Sequence, residues 1–199
     1  IGKLNQALNQ QSIKSVQDTS TVLSEITTHD QLRTIKSGSS TYETGTTNLV
    51  AINGTGNGSY TIKMVLDAYE RALHGWQGPN PRLRIEHCSL VNPELIARIK
   101  ALGVIPAPFY TYAYYHGEKW SEYGEDKMEH MFAHRSFIDA GIPVAPASDF
   151  TPGPYEPMMA LQSMITRQDR TGHVWGPSQR ITIEEALRVC TVNGAYASF

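Results

Sequence analysis

His87 and Asp149 combine a reactive side chain with a telling position. His87 closes the run Arg82-Leu83-Arg84-Ile85-Glu86-His87, and Asp149 closes Ile142-Pro143-Val144-Ala145-Pro146-Ala147-Ser148-Asp149. Each run reads as a short β-strand, so each group sits at a carboxyl end, where the loops of α/β sheets and (β/α) barrels line a common crevice. A neutral imidazole nitrogen and a carboxylate are two of the donor types that hold a divalent cation such as zinc, and the carboxylate can also take a proton. Between them lies an aromatic stretch with Tyr110, Tyr112, Tyr114, Tyr115, His116, Trp120 and Tyr123. Residues 110–124 exceed the usual connection of about 2–6 residues and read as a substrate wall, with Tyr112 and His116 as candidate substrate contacts. The plainer readings are a hydrogen-bonded strand-end histidine at 87, a helix-capping aspartate at 149 and a solvated loop histidine at 116.

The elements that must position these groups follow in regular order. Residues 48–52 form a short apolar run, Asn53-Gly54-Thr55-Gly56-Asn57-Gly58 breaks it, and Ile62, Val65, Leu66, Tyr69 and Leu73 then recur at helical spacing up to Gly75. After His87, Asn92-Pro93-Glu94 offers an N-cap and a proline at the first helical position. Leu95, Ile96, Ile99 and Leu102 make the face of that helix, and Gly103 can end it. Residues 103–109 predict a strand carrying two prolines, at a strand end or an irregular edge. Met128, Met131, Phe132 and Ile138 predict one helix face closed by Gly141; residues 157–166 predict another helix, and Thr182-Ile183-Glu184-Glu185 is a capping box opening a last one.

This order is four βα units, and repeated βα units demand a parallel sheet, because right-handed crossovers return each strand beside the last. Four units are half of a (β/α)8 barrel, which takes about 250 residues when complete. The expected fold class is α/β over residues 48–199: a partial (β/α)8 TIM barrel if the chain is a fragment, a barrel to which the first 46 residues add something irregular, or an open sheet. Residues 1–47, rich in Gln, Ser and Thr, are an irregular stretch with no assigned role.

Composition narrows the function classes. The chain has 199 residues, 40% hydrophobic and 18% charged, with a net charge of −2. That is enough length for one sizeable core and gives no electrostatic footprint for nucleic acid or an anionic membrane. No apolar run approaches the roughly 20 residues of a membrane span, and no basic segment followed by an apolar one opens the chain, so a cytoplasmic location is the expectation. Cys88 and Cys190 lack any C-x-x-C spacing and read as packing residues rather than a disulfide framework. Glycines 54–58 invite a nucleotide-binding reading, but the spacing is G-x-G-x-G and no P-loop lysine follows.

A series of words runs in order from about residue 50 to the end: Val65-Leu66-Asp67-Ala68-Tyr69-Glu70, Arg84-Ile85-Glu86-His87, Leu102-Gly103-Val104, His134-Arg135-Ser136, Asp139-Ala140-Gly141, Ala147-Ser148-Asp149, Thr166-Arg167 and Arg180-Ile181-Thr182-Ile183-Glu184-Glu185-Ala186-Leu187. In these words the chain resembles the amidohydrolase superfamily, in the branch that includes N-substituted formamide deformylase. The resemblance implies strands five to eight of a (β/α)8 metallohydrolase. It implies that His87 ends the sixth strand as a metal ligand, and that Asp149 ends the eighth as a ligand and as the general base. It further implies a divalent metal, zinc foremost, and a small amide-type substrate cleaved at a C–N bond other than a peptide bond. The family's first-strand His-x-His pair occurs nowhere in the chain, and its fifth-strand histidine aligns with Thr55. The expectation is thus an incomplete ligand set, with another chain or the other half of the barrel as partner. A non-catalytic scaffold is the rival reading.

Overall fold

The structure is a computed structural model that describes residues 58–198; the expected strand at 48–52, Thr55, most of the glycine run and residues 1–47 lie outside the described residues. Helix α1 (Ser59–Leu73) buries Ile62, Val65, Leu66 and Tyr69 on the face that their spacing predicts. The Tyr69 hydroxyl donates to the Arg84 carbonyl at 2.6 Å, which ties α1 to the strand that follows. That strand, β1 (Arg84–His87), pairs in parallel with β2 (Ile105–Pro108), Arg84 opposite Ile105 and His87 opposite Pro108. Helix α2 (Pro93–Leu102) makes the crossover. The Asn92 side chain accepts from the Leu95 N–H at 2.8 Å, and Gly103 ends the helix at φ 63°. Ile62, Leu66, Ile85, Leu95 and Ile99 meet in one apolar cluster, so burying these faces is the main term holding the unit together.

The prolines of β2 explain where the sheet departs from expectation. Among the described residues it has two strands rather than the longer parallel set expected of a half barrel. Residues 144–148 do run beside β2: Ala145 N–H donates to the Pro106 carbonyl and Ala147 N–H to the Pro108 carbonyl, each at 3.0 Å, and Tyr110 N–H donates back to Ala147 at 3.1 Å. Pro106 and Pro108 turn their carbonyls to this neighbour but have no N–H to give it, so the ladder forms largely in one direction. The prolines therefore sit between two neighbours, not at the free edge that their sequence suggested. The Asn193 amide, donating to the Val144 carbonyl at 2.9 Å, supplies part of the missing support.

The aromatic stretch folds as short helices: α3 (Tyr112–Tyr115), a 3-10 turn (Gly117–Glu122) and α4 (Glu125–Met128). The helix face expected from Met128 to Ile138 is interrupted. Phe132 stands at φ 48°, its N–H donates to the Ser89 carbonyl at 2.7 Å, and Val91 N–H donates to His130 at 3.1 Å, so the chain pairs with the loop after β1 instead of continuing as a helix. Helix α5 (His134–Asp139) then starts afresh, and α6 (Pro157–Thr166) and α7 (Ile183–Cys190) follow as predicted, α7 with both halves of the Thr182–Glu185 capping box. The Arg135 guanidinium donates to both Glu185 oxygens at 2.8 and 2.6 Å, which joins α5 to α7. Helix α8 (Val192–Ser198) completes the described chain. No helix among the described residues is long and apolar enough to cross a membrane.

His134 opens α5 fully buried, and neither ring nitrogen has a hydrogen-bond partner among the described residues. Burial, and after it the charge of Arg167, hold its pKa down to about 3. In the unfolded chain the same group titrates near 6.5, so below that pH the unfolded state binds a proton that the native state refuses. The stability is full above about pH 6.5 and drains as pH falls toward about 3, by up to about 1.4 kcal/mol per pH unit. We expect the urea midpoint of the protein to drop between pH 7 and 5 and His134→Phe to remove most of that drop. Equal slopes in the two proteins would assign the pH dependence to other groups.

Candidate active site

His87 is delivered by the end of β1 and by two left-handed residues in succession. His87 stands at φ 65° and Cys88 at φ 36°, and Cys88 N–H donates to the Glu86 carbonyl at 2.8 Å, so the chain turns sharply once the strand is finished. Glu86 faces the other way and is paired with Arg84 through a bond from the guanidinium Nε at 2.8 Å, which makes it a structural partner on the opposite side. The His87 ring lies 4.6 Å from that of Phe109, the residue that continues β2.

Asp149 is delivered by the segment that runs beside β2. It adopts φ 57°, a conformation that Asp tolerates better than most residues, and its carbonyl accepts from Gly153 N–H at 2.7 Å. The turn is so tight that a Cβ on Gly153 would lie 2.0 Å from the Ser148 carbonyl oxygen and 2.8 Å from Tyr112 Cε1. The Tyr112 hydroxyl donates to Asp149 Oδ2 at 2.5 Å. Burial, then the bond to Asp149 and its charge, raise the phenol's pKa well above 10, so it stays a donor.

His87, Asp149, Tyr112 and His116 all line one open cavity of about 650 Å³. Phe109, Trp120, Met131 and Phe132 make much of its remaining wall, so the two candidate metal donors share the lining of a largely apolar, aromatic pocket. His116 packs edge-on against Tyr112 at 4.6 Å, and burial together with Lys119 lowers its pKa, so it faces the pocket as a neutral ring. Cys88 is fully buried, its thiol is pushed well above its usual range, and it is the inert packing residue expected of it.

A divalent cation needs more donors than this. Among the described residues no three His, Cys, Asp or Glu side chains converge on one point. His87 and Asp149 fit such an ion in chemical type as a partial set. Two contributors escaped the sequence reading. The sequence puts Phe132 on a helix face, and nothing local marks it as pocket wall. Arg167, next to Thr166 at the end of α6, is buried and donates to the carbonyls of Met128, Met131 and Phe132, at 3.1, 3.0 and 3.4 Å, and so carries part of that wall; the word Thr166-Arg167 marks the arginine in the sequence but says nothing of this role.

The amidohydrolase family pattern matches residues 50–199. The chain belongs to the amidohydrolase family. It is 34% identical over 151 residues to N-substituted formamide deformylase of Arthrobacter pascens, which covers 75% of this chain and 27% of that protein. It is 28% identical over 115 residues to imidazolonepropionase of Flavobacterium johnsoniae, covering 58% of this chain and 23% of that one. The chain thus spans about a quarter of the length of the curated relatives it matches. Among solved structures it resembles an uncharacterized metal-dependent hydrolase from Pyrococcus horikoshii OT3, with a TM-score of 0.60 and 20% identity over 80% of this chain and 35% of that one. A second, from Pyrococcus furiosus, gives 0.57 and 24% over 71% and 27%. These likenesses speak to the fold of the amidohydrolase chain.

Proposed function

We propose that this amidohydrolase chain is part of a metal-dependent hydrolase that cleaves a C–N bond of amide type in a small substrate. The observation that carries the reading is the meeting of His87 and Asp149 on the wall of one cavity, each delivered by a strand end or its equivalent. His87 and Asp149 would hold a divalent ion, zinc foremost, together with donors from outside residues 58–198. Such an ion, when bound, acidifies a water and polarises the scissile carbonyl. Asp149 takes the proton of the attacking water on a carboxylate oxygen and returns it to the leaving nitrogen, so that water and amide become acid and amine. The aromatic wall, with the faces of Tyr112 and His116, holds the nitrogen substituent and keeps bulk water from the reacting bond.

The test uses the full-length protein. Elemental analysis should find a stoichiometric divalent ion, a chelator should remove both ion and hydrolysis of N-substituted formamides, and His87→Ala should weaken metal affinity by more than about 10-fold. A full-length protein that binds no metal and cleaves no amide in a broad panel would leave the non-catalytic scaffold as the better reading.

A further inference from the structure

We infer that Tyr112 is a positioning residue: its phenol fixes the Asp149 carboxylate in the orientation in which it takes and returns the proton. The inference rests on the reading of Asp149 as the general base and goes beyond it. Among the described residues the Tyr112 hydroxyl is the hydrogen-bond donor to this carboxylate, at 2.5 Å on Oδ2, and no other described residue donates to Oδ1. The terminal torsion of an aspartate is broad, so a carboxylate with no donor samples many orientations. One bond from a fixed phenol selects among them, and bonds to an ionised oxygen are the short and strong kind.

The phenol is itself held in place. Its ring lies 4.5 Å from Phe109, 4.6 Å from His116 and 5.7 Å from Phe132, the last two edge-on. On a further side stands Gly153, where any side chain would collide with Tyr112 Cε1. The same glycine closes the turn that begins at Asp149, through its N–H on the Asp149 carbonyl at 2.7 Å. Donor and acceptor are therefore set by one local construction, in which the missing Cβ of Gly153 lets the Asp149 turn settle onto the Tyr112 ring. A tyrosine serving only to fill the wall would need no hydroxyl, and its bond would not point at the base.

Tyr112→Phe in the full-length, metal-loaded protein keeps the ring and deletes the bond. We expect kcat to fall about 10–100-fold, the range seen when the hydrogen-bond partner of a metal-ligating group is removed, while KM and, at saturating metal, metal content stay within about twofold. Crystal structures of the two proteins stripped of metal, so that no ion holds the carboxylate, give a readout independent of turnover: the Asp149 carboxylate should keep one orientation in the parent and rotate or spread over two in the variant. A fall in kcat with KM rising in parallel, or a variant with kcat unchanged, would overturn the inference and return Tyr112 to substrate contact or packing. Asp149→Asn separates this from failure of the underlying reading. If that change leaves turnover intact, Asp149 is not the base and the role of Tyr112 falls with it; if it abolishes turnover while Tyr112→Phe does not lower it, only the positioning role is lost.

Discussion

Turnover of the full-length protein is expected to fall by about 10²–10⁴-fold on Asp149→Asn, with the fold kept. Asparagine matches aspartate in volume, tolerates the φ of 57° found at this position and can still accept the Tyr112 hydroxyl through its amide oxygen. What it loses is the negative charge and the site that takes a proton. Metal content measured on the same sample tells the two duties of the carboxylate apart. Turnover lost with the ion retained isolates the proton transfer; turnover and ion lost together make Asp149 chiefly a ligand. Asp149→Ala is the harsher comparison, because it also gives up the left-handed preference and leaves the phenol without its acceptor, so its unfolding temperature should drop where that of Asp149→Asn holds. Wild-type turnover in Asp149→Asn would end the general-base assignment.

How much of this was legible in the sequence follows from the range of the forces involved. Helix α2 was readable because Asn92, Pro93 and Gly103 act within one turn of it, and α7 because Thr182 and Glu185 cap each other locally. His87 and Asp149 could be singled out because a strand followed by a loop is itself a local pattern. The break at Phe132 was not readable. It is enforced by Ser89 and Arg167, which are more than thirty residues away, and by a carbonyl accounting that only the folded chain reveals. The middle place of β2 was hidden for a related reason: Pro106 and Pro108 signal an edge until their carbonyls are seen serving residues 145 and 147. The bond from Tyr112 to Asp149 spans 37 positions, so no spacing rule could connect them, although both lay in stretches marked for other reasons.

Arg167 should prove the most sensitive position for stability among the described residues. It ends α6 at φ 54°, is 1% exposed, and donates to the carbonyl of Trp175 at 2.8 Å as well as to those of Met128, Met131 and Phe132. The carbonyls of Met128 and Phe132, at the break in the helix, also accept from Met131 N–H at 3.3 Å and His134 N–H at 2.8 Å, whereas among the described residues those of Met131 and Trp175 depend on the guanidinium. Burial lowers the guanidinium's pKa only to about 10, with Glu129 opposing the shift, so it remains charged at neutral pH. Gly176 belongs to the same construction, since a Cβ there would lie 2.2 Å from the Met128 carbonyl oxygen and 2.9 Å from Arg167 Nη2. Arg167→Met keeps much of the volume but strands these carbonyls in an apolar setting, and we expect a loss of about 3–5 kcal/mol in denaturant unfolding. Arg167→Lys keeps the charge, yet an ammonium on a flexible stem cannot fork to carbonyls spread over two segments, so it should recover less than half of the loss. Because Met131 and Phe132 line the cavity, whatever folded Arg167→Lys remains should also bind substrate more weakly. An Arg167→Lys protein as stable as the parent would show that charge alone, through Glu129 and the 5.7 Å approach to the Trp120 ring, is what this buried side chain provides.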